Sequence, residues 1–239
     1  MPALSVVIPL FQEERRLATG LAGLARLAGL LAEPPELILV DDGSSDDTLA
    51  LARRHAPPDA MVIEVPHRGK GAALAAGVAA ARGDRILLTD VDWSVPPEEI
   101  PRLLALDADM VLATREGVGA RRIGEPIWRH LVGRGFNALV RAAVLPGIQD
   151  TQCGCKLLRA GPARDLFAAQ RVTGWAWDVE ILALAQARGL EVREVAVAWR
   201  FEPDSRLRLL RDAPAMVRDV LRVRRALRAA RSGKDARES

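Results

Sequence analysis

The sequence predicts an α/β protein, a mainly parallel sheet flanked by helices. Three observations predict it. Short apolar runs alternate with helical stretches, and such alternation builds β-α-β units whose crossovers cover both faces of a sheet. Runs such as Val6-Val7-Ile8 and Leu37-Ile38-Leu39-Val40 are apolar throughout, as strands buried on both faces are. Polar clusters come directly after these runs, and ligands of parallel sheets bind at the carboxyl ends of strands. At 239 residues, 49% hydrophobic and 27% charged, the chain is long enough for one substantial domain and too short for two large ones. The composition excludes global disorder.

Ser5 to Ile8 reads as the first strand, closed by Pro9. A Leu- and Ala-rich helix comes next, from Glu14 to Leu31, then a strand over Leu37–Val40 that ends at Asp41-Asp42-Gly43. Ser45 to His55 reads as a helix with Asp46 and Asp47 in its first turn, where negative charge suits the helix dipole. Met61–Val65, the helix Gly71–Ala81 and the strand Arg85–Thr89 continue the pattern. A helix over Pro97–Leu106 and a short strand over Met110–Ala113 complete the regular half. Beyond it, Arg129–Val144 reads as a helix despite Gly133 and Gly135, Pro146–Cys155 as a polar loop, and Asp178–Arg188 as a helix. Val192–Trp199 reads as a strand, with a break at Glu202-Pro203-Asp204. The expected organisation is one domain over 1–212, a basic amphipathic helix over 213–231 and a flexible tail over 232–239.

Two cysteines exclude a disulfide scaffold, and Cys153-Gly154-Cys155 lacks the second pair of a zinc site. MPALSVVIPL has neither the basic leader nor the cleavage site of a signal peptide. The longest apolar stretch, Leu17 to Ala32, is interrupted by Arg26 and falls short of the ~20 residues that cross a bilayer. A cytoplasmic chain without a membrane span is expected. The net charge of +3 is uneven: nine Arg and two Asp between Arg206 and Arg231 make a local +7, which leaves residues 1–205 at −4. Within that segment Met216, Val220, Val223 and Leu227 form an apolar stripe, widened by Val217 and Leu221 and flanked by Arg218, Arg222, Arg224, Arg225, Arg228 and Arg231. Such a helix suits an anionic membrane surface; the alternative is a helix docked on the body with its basic face in water. With no aromatic residue after Phe201, the segment has no stacking platform for single-stranded nucleic acid, and no nucleic-acid partner is expected.

The motif with most chemistry is Leu87-Leu88-Thr89-Asp90-Val91-Asp92, which sets two carboxylates just past a buried strand. Hard oxygen ligands favour Mg²⁺ or Mn²⁺ and leave coordination sites for phosphate oxygens. A solvated acidic turn is the alternative for that spacing taken alone. Asp41 and Asp42 can accept from ribose hydroxyls or a base N–H, although an Asp/Gly/Ser turn also accounts for part of that run. Arg68-Gly69-Lys70-Gly71 opens a helix whose N-terminus favours an anion such as diphosphate, without the spacing of a Walker A loop.

Taken together, Pro9-Leu10-Phe11-Gln12-Glu13, Val40-Asp41-Asp42-Gly43-Ser44, His67-Arg68-Gly69-Lys70-Gly71 and Thr89-Asp90-Val91-Asp92 resemble the inverting glycosyltransferases of family 2, with a Rossmann-like GT-A fold. Gly133 to Asn137, Asp150 to Lys156 and Gly174 to Glu180 look like the polyprenyl-phosphate branch. The dolichyl-phosphate β-glucosyltransferases come first and the mannose synthases next. The resemblance covers roughly residues 4–212. It implies that Pro9, Phe11, Glu13 and Asp42 hold the nucleoside, with Lys70 near the nucleotide. It implies that Asp90 and Asp92 hold the metal and the sugar-nucleotide diphosphate. Arg115, Arg129 and Arg134 would face an acceptor phosphate, and Asp150, Lys156 and Asp178 would line the transfer site. Phe11 stands where many relatives have Tyr, Gln12 where Asn is usual, Cys155 where Phe is usual, and Trp93 where a smaller residue is common, which bears on the shape of the sugar pocket.

The implied reaction transfers a hexose from a nucleotide sugar, UDP-glucose before GDP-mannose, to a polyprenyl or dolichyl phosphate by a chain peripherally associated with a membrane. A phosphate monoester is already anionic at neutral pH and needs orienting Arg more than a base; with a hydroxyl acceptor, Asp178 becomes the leading base. A glycolipid or soluble acceptor, a haloacid-dehalogenase-like phosphatase suggested by Asp90-Val91-Asp92-Trp93-Ser94, and a non-catalytic nucleotide-sugar binder are the alternatives.

Overall fold

The computed structural model describes residues 2–203 and 209–238, with side chains up to residue 229 except 209 and 210. The chain runs β1 (Leu4–Leu10), α1 (Leu17–Leu30), β2 (Glu36–Asp41), α2 (Thr48–His55), β3 (Met61–Glu64), α3 (Lys70–Ala80) and β4 (Arg85–Leu88). A 3₁₀ turn (Pro97–Glu99) leads into α4 (Ile100–Leu104), then β5 (Met110–Thr114), β6 (Arg121–Ile123) and α5 (Ile127–Ala143). β7 (Lys156–Arg159), α6 (Ala160–Ala168), α7 (Trp177–Ala187), β8 (Val192–Ala196), β9 (Ala198–Arg200) and α8 (Leu209–Glu238) complete it.

Among the described residues the main sheet has seven strands in the order β3-β2-β1-β4-β7-β5-β8. All its pairings are parallel except those of β7, which is antiparallel to β4 and to β5. β6 and β9 form a small parallel ribbon. The strand side chains divide between two cores, one on each sheet face. Val7, Val40, Leu88 and Leu112 pack with α3, α6 and α7 on one face. Val6, Ile8, Leu39, Leu87 and Val111 pack with α1, α2 and α4 on the other. The α/β expectation is thus met, and so is the convergence of polar clusters at the carboxyl edge.

The structure corrects several local readings. Pro9 lies inside β1. Pairing with β4 ends at Val7–Leu88, and the Val7 carbonyl accepts the last bond on that side, from Thr89. Residues of one strand that are two apart point their backbone groups to the same side, so Pro9 meets no partner that its missing N–H would deny. Asp46 precedes α2; its carboxylate accepts from the Thr48 N–H at 3.1 Å and so caps the helix from outside. The Val192–Trp199 run divides into β8 and β9. β7 and α6 were not expected: a four-residue run has no period to read, and Pro162 looks like a breaker, yet it sits in the first turn of α6, where a missing N–H is harmless.

The C-terminal helix begins before residue 213 and continues through 232–238, the segment expected to be a flexible tail. Its stripe is not free. Met216, Val220 and Val223 are buried, and Val220 and Val223 join the core beneath α7 and α5, with Leu227 packed against them. Arg218, Arg222, Arg225 and Arg228 remain exposed. Of the two readings of this helix, docking on the body is the observed one. Arg206 and Arg208, and the Arg231 side chain, lie outside the described residues. No described helix is long and apolar enough to cross a membrane.

Candidate active site

The carboxyl ends of β1, β2, β4 and β5, together with the N-terminus of α3, converge on one edge of the sheet. β7 contributes because it is antiparallel. Its first residue, Lys156, pairs with Leu88 and Leu112, so the loop before it arrives at the same edge. Two cavities open there among the described residues, of about 530 Å³ and about 130 Å³. They share Lys70, Asp90, Asp92 and Trp175 in their walls.

The larger cavity is bounded by Pro9, Phe11, Glu13, Asp42, Lys70 and the acidic pair. Phe11 and His67 stack with ring centres 4.2 Å apart and planes 13° apart, a flat aromatic surface in the wall. Asp42 accepts from the Arg68 N–H at 2.9 Å and the Gly69 N–H at 2.9 Å, and contacts His67 Nδ1 at 2.8 Å. Gly69 adopts φ +106 and its Cβ position lies 2.6 Å from the Thr173 carbonyl, so the turn into α3 requires glycine. Asp41 is not in the wall; it is buried, and one oxygen accepts from the Ser44 N–H at 3.0 Å. Expected with Asp42 as a nucleotide contact, Asp41 instead holds the turn.

Lys70 Nζ donates to Asp90, and Arg16 Nη1 reaches Asp92 at 3.2 Å while its other nitrogens bind Glu13. The other Asp92 oxygen accepts from the Ser94 N–H and hydroxyl. Burial penalises charge on both acids. At Asp90 the Lys70 ammonium overrides it and holds the carboxyl below its ordinary value. Asp92 is raised, by burial first and then by the adjacent Asp90 charge. Gly154, from the loop before β7, closes over the pair, since a Cβ there would lie 2.3 Å from Asp90 Oδ2.

These residues fit a hard divalent cation. The donor set is two carboxylates facing a cavity, and their mutual repulsion is what an added positive charge relieves. Among the described residues, no cluster of three or more His, Cys, Asp or Glu has metal-binding geometry.

The smaller cavity is bounded by Arg115, Arg129, Asp178, Trp199 and Phe201 in addition to the shared groups. Arg115 and Asp150 form a bidentate pair at 2.7 and 2.8 Å. Burial opposes both charges, but each partner overrides it, so Asp150 lies far below and Arg115 above its usual value. Asp150 is therefore the anchor of Arg115 behind the wall. Lys156 is likewise behind it, 1% exposed, donating to the Cys153 carbonyl at 2.5 Å and lying 3.9 Å from Asp178. Asp178, at the start of α7, is raised to about 6 by burial, which the charges of Lys156 and Lys70 only partly offset. Arg129 lies over the Phe201 ring at 4.9 Å. Arg134, expected to face an acceptor, is 61% exposed, near Glu116, and in neither cavity wall.

Sequence reading missed Arg16, whose only signal is its position three residues after Glu13 at a helix start. It also missed Trp175, Trp199 and Phe201 as wall residues and Met216, which enters from α8. Trp93, whose bulk left the shape of the sugar pocket open, is in neither cavity wall. With φ +49 it turns toward α1, packs on Gly23 and donates to the Gly20 carbonyl at 2.9 Å.

Residues 5–167, more than half of the chain, match Glycosyl transferase family 2. The chain belongs to that family. A dolichyl-phosphate beta-glucosyltransferase of Trichomonas vaginalis is 33% identical over 220 residues, 85% of this family 2 chain and 65% of the relative. The Drosophila melanogaster protein of that name is 35% identical over 82% of this chain and 66% of the relative, and the Homo sapiens one 34% over 82% and 67%. The chain thus spans about two thirds of the length of these relatives, and just under that for the first two. Glucosyl-3-phosphoglycerate synthase from Mycobacterium tuberculosis, solved with uridine-diphosphate, superposes with a TM-score of 0.69 at 25% identity over 95% of this chain and 80% of that one. A second structure of that synthase, at 24% identity and TM-score 0.70, contains Mn²⁺, uridine-diphosphate and glucosyl-3-phosphoglycerate. The expected GT-A glycosyltransferase fold is the observed one. Family membership and the position of Asp90-Val91-Asp92 after the fourth strand set aside the phosphatase alternative.

Proposed function

We propose that this chain transfers a hexose from a nucleotide sugar to a polyprenyl or dolichyl phosphate, with inversion at the anomeric carbon. UDP-glucose is the first donor, GDP-mannose the second. The observation that carries this reading is the pair of cavities meeting at Asp90, Asp92, Lys70 and Trp175. A donor in one and an acceptor in the other would react where they join. The names of the curated relatives support the acceptor and the sugar.

The nucleoside lies along Pro9 and the Phe11–His67 face, with Glu13 and Asp42 beside it and the diphosphate against Lys70. Mg²⁺ or Mn²⁺, held by Asp90 and Asp92, supplies charge neutralisation for the diphosphate when bound. An oxygen of the acceptor phosphate forms the new bond to the anomeric carbon as the bond to the diphosphate breaks, and the electron pair leaves on the diphosphate. Lys70 stabilises that developing charge. Arg115, fixed by Asp150, and Arg129 hold the acceptor phosphate; Arg134 has no part. Lys156 positions Asp178, and Asp178 positions the acceptor. Because the raised Asp178 carboxyl faces the smaller cavity, a hydroxyl acceptor with Asp178 as base is the second reading.

The test is a panel of nucleotide sugars with Mg²⁺ or Mn²⁺ and a polyprenyl phosphate, scoring label that enters organic solvent and is released by mild acid. The expected product is an acid-labile lipid-phosphate sugar, lowered at least about 100-fold by Asp92→Asn. Product formed only on a hydroxyl acceptor transfers the assignment to the second reading. No turnover with any donor refutes both.

A further inference from the structure

The amphipathic face that remains free belongs to α5, not to the C-terminal helix. On α5, Ile127, Trp128, Leu131, Val132 and Leu139 are exposed, Trp128 by 61% and Leu131 by 63%, while Val140 is its one buried residue. They recur at i, i+4 and i+12 along one side, so the helix turns five large apolar residues outward while Phe136 and Val140 face the core, against the rule for a helix of a soluble body. The formal charges on the helix itself share one sign. α5 carries Arg129, Arg134 and Arg141 and no acid, and Arg121 is exposed just before it. Two acids lie beside it and both are ion-paired, Glu125 with Arg122 at 2.8 Å and Glu116 with Arg122 at 2.7 Å and Arg134 at 3.7 Å. The segment leading into α5 adds Ile123, exposed, and Val118, fully exposed between Gly117 and Gly119. Arg129, from this same helix, lines the smaller cavity.

We propose that the outer face of α5 docks this chain on an anionic phospholipid bilayer. Apolar side chains with a tryptophan and a rim of arginines match the acyl boundary and the negative headgroups of such a surface. A second copy of the chain is disfavoured as occupant, because a two-fold contact through this face brings like charges together. The inference rests on the lipid-phosphate reading for its purpose: docking by α5 brings the smaller cavity to the membrane surface, where a lipid-borne phosphate lies.

The full chain is floated with vesicles of neutral phosphatidylcholine and with vesicles that also contain phosphatidylglycerol. Binding is expected with the anionic vesicles and should weaken at high salt. Trp128→Ser combined with Leu131→Ser should lower partitioning about tenfold or more. Both side chains are exposed, so the variant keeps its fold, checked by its unfolding midpoint. It should also keep transfer to a short-chain, water-soluble prenyl phosphate in the absence of vesicles. Vesicle binding unchanged in the double variant, or lost only when Arg218, Arg222 and Arg225 of α8 become Ser, overturns the proposal. So does a wild-type dimer in size-exclusion chromatography that the double variant converts to monomer. Transfer to the soluble prenyl phosphate without any vesicle binding refutes docking and leaves the function standing. Vesicle binding without transfer refutes the function and leaves docking standing.

Discussion

Asp90 and Asp92 are two residues apart and chemically unlike. Lys70 keeps the first ionised, whereas burial and its neighbour raise the second. Gly154 sets the space around them. Alanine there places a methyl 2.3 Å from Asp90 Oδ2, so Gly154→Ala should lower transfer about tenfold to a hundredfold through the displaced carboxylate, with the unfolding midpoint nearly unchanged. Normal kinetics in that variant would show that Asp90 can move without consequence. Asp178 has its own pH signature. Its folded value of about 6 exceeds the ordinary aspartate value, so between about pH 4 and 6 the folded chain holds a proton the unfolded chain has lost. Stability from this group therefore falls as pH rises through that window, by up to about 3 kcal/mol. Asp178→Asn should remove that slope, read as the difference in urea midpoint between pH 5 and pH 7.5 for the two proteins. An equal slope in both falsifies the assignment.

At the scale of elements, α8 packs its stripe on the body while α5 leaves apolar residues exposed. The α8 stripe has a regular period and flanking arginines, which read as a surface-seeking helix, yet Val220 and Val223 lie in the core. Val220→Ala should destabilise the chain by about 2 kcal/mol, while Leu221→Ala, at an exposed position, should stay within about 0.5 kcal/mol. Denaturation midpoints separate the two. The α5 pattern was legible as a helix, but periodicity reports that a helix has an apolar side and is silent about what faces it. β7 was illegible for another reason. Its position is decided by pairing with β4 and β5, partners distant in sequence, and its reversed direction is what carries Gly154 to Asp90.

For the whole molecule, the proposed cation site and the fold are separable. Asp90 and Asp92 already have Lys70 and Arg16 as partners, so chelation of divalent ions should abolish transfer and shift the melting temperature by no more than a few degrees. Activity that persists in excess chelator would count against the cation. The uneven charge also takes a different meaning. The acidic body concentrates carboxylates at the cavity edge, and the exposed arginines of α8 lie on a helix whose apolar stripe is buried at Met216, Val220 and Val223.

The α/β class, most strands and helices, and the clusters that meet at the sheet edge were readable because they depend on local apolar runs and on the few polar residues just past the end of each strand. Asp42, Asp90, Asp92 and Arg115 were readable as wall residues for that reason, and Lys70 from the glycine turn that opens a helix, whereas Pro9, Phe11, Glu13, Arg129 and Asp178 followed only from the family resemblance. The demotion of Asp41, Asp150 and Lys156 to supports, the exclusion of Arg134, the turning of Trp93 onto α1, and the entry of Arg16 and Met216 came from the packed structure. Which side of a residue meets a cavity depends on neighbours that are remote in the chain, and no local pattern records them.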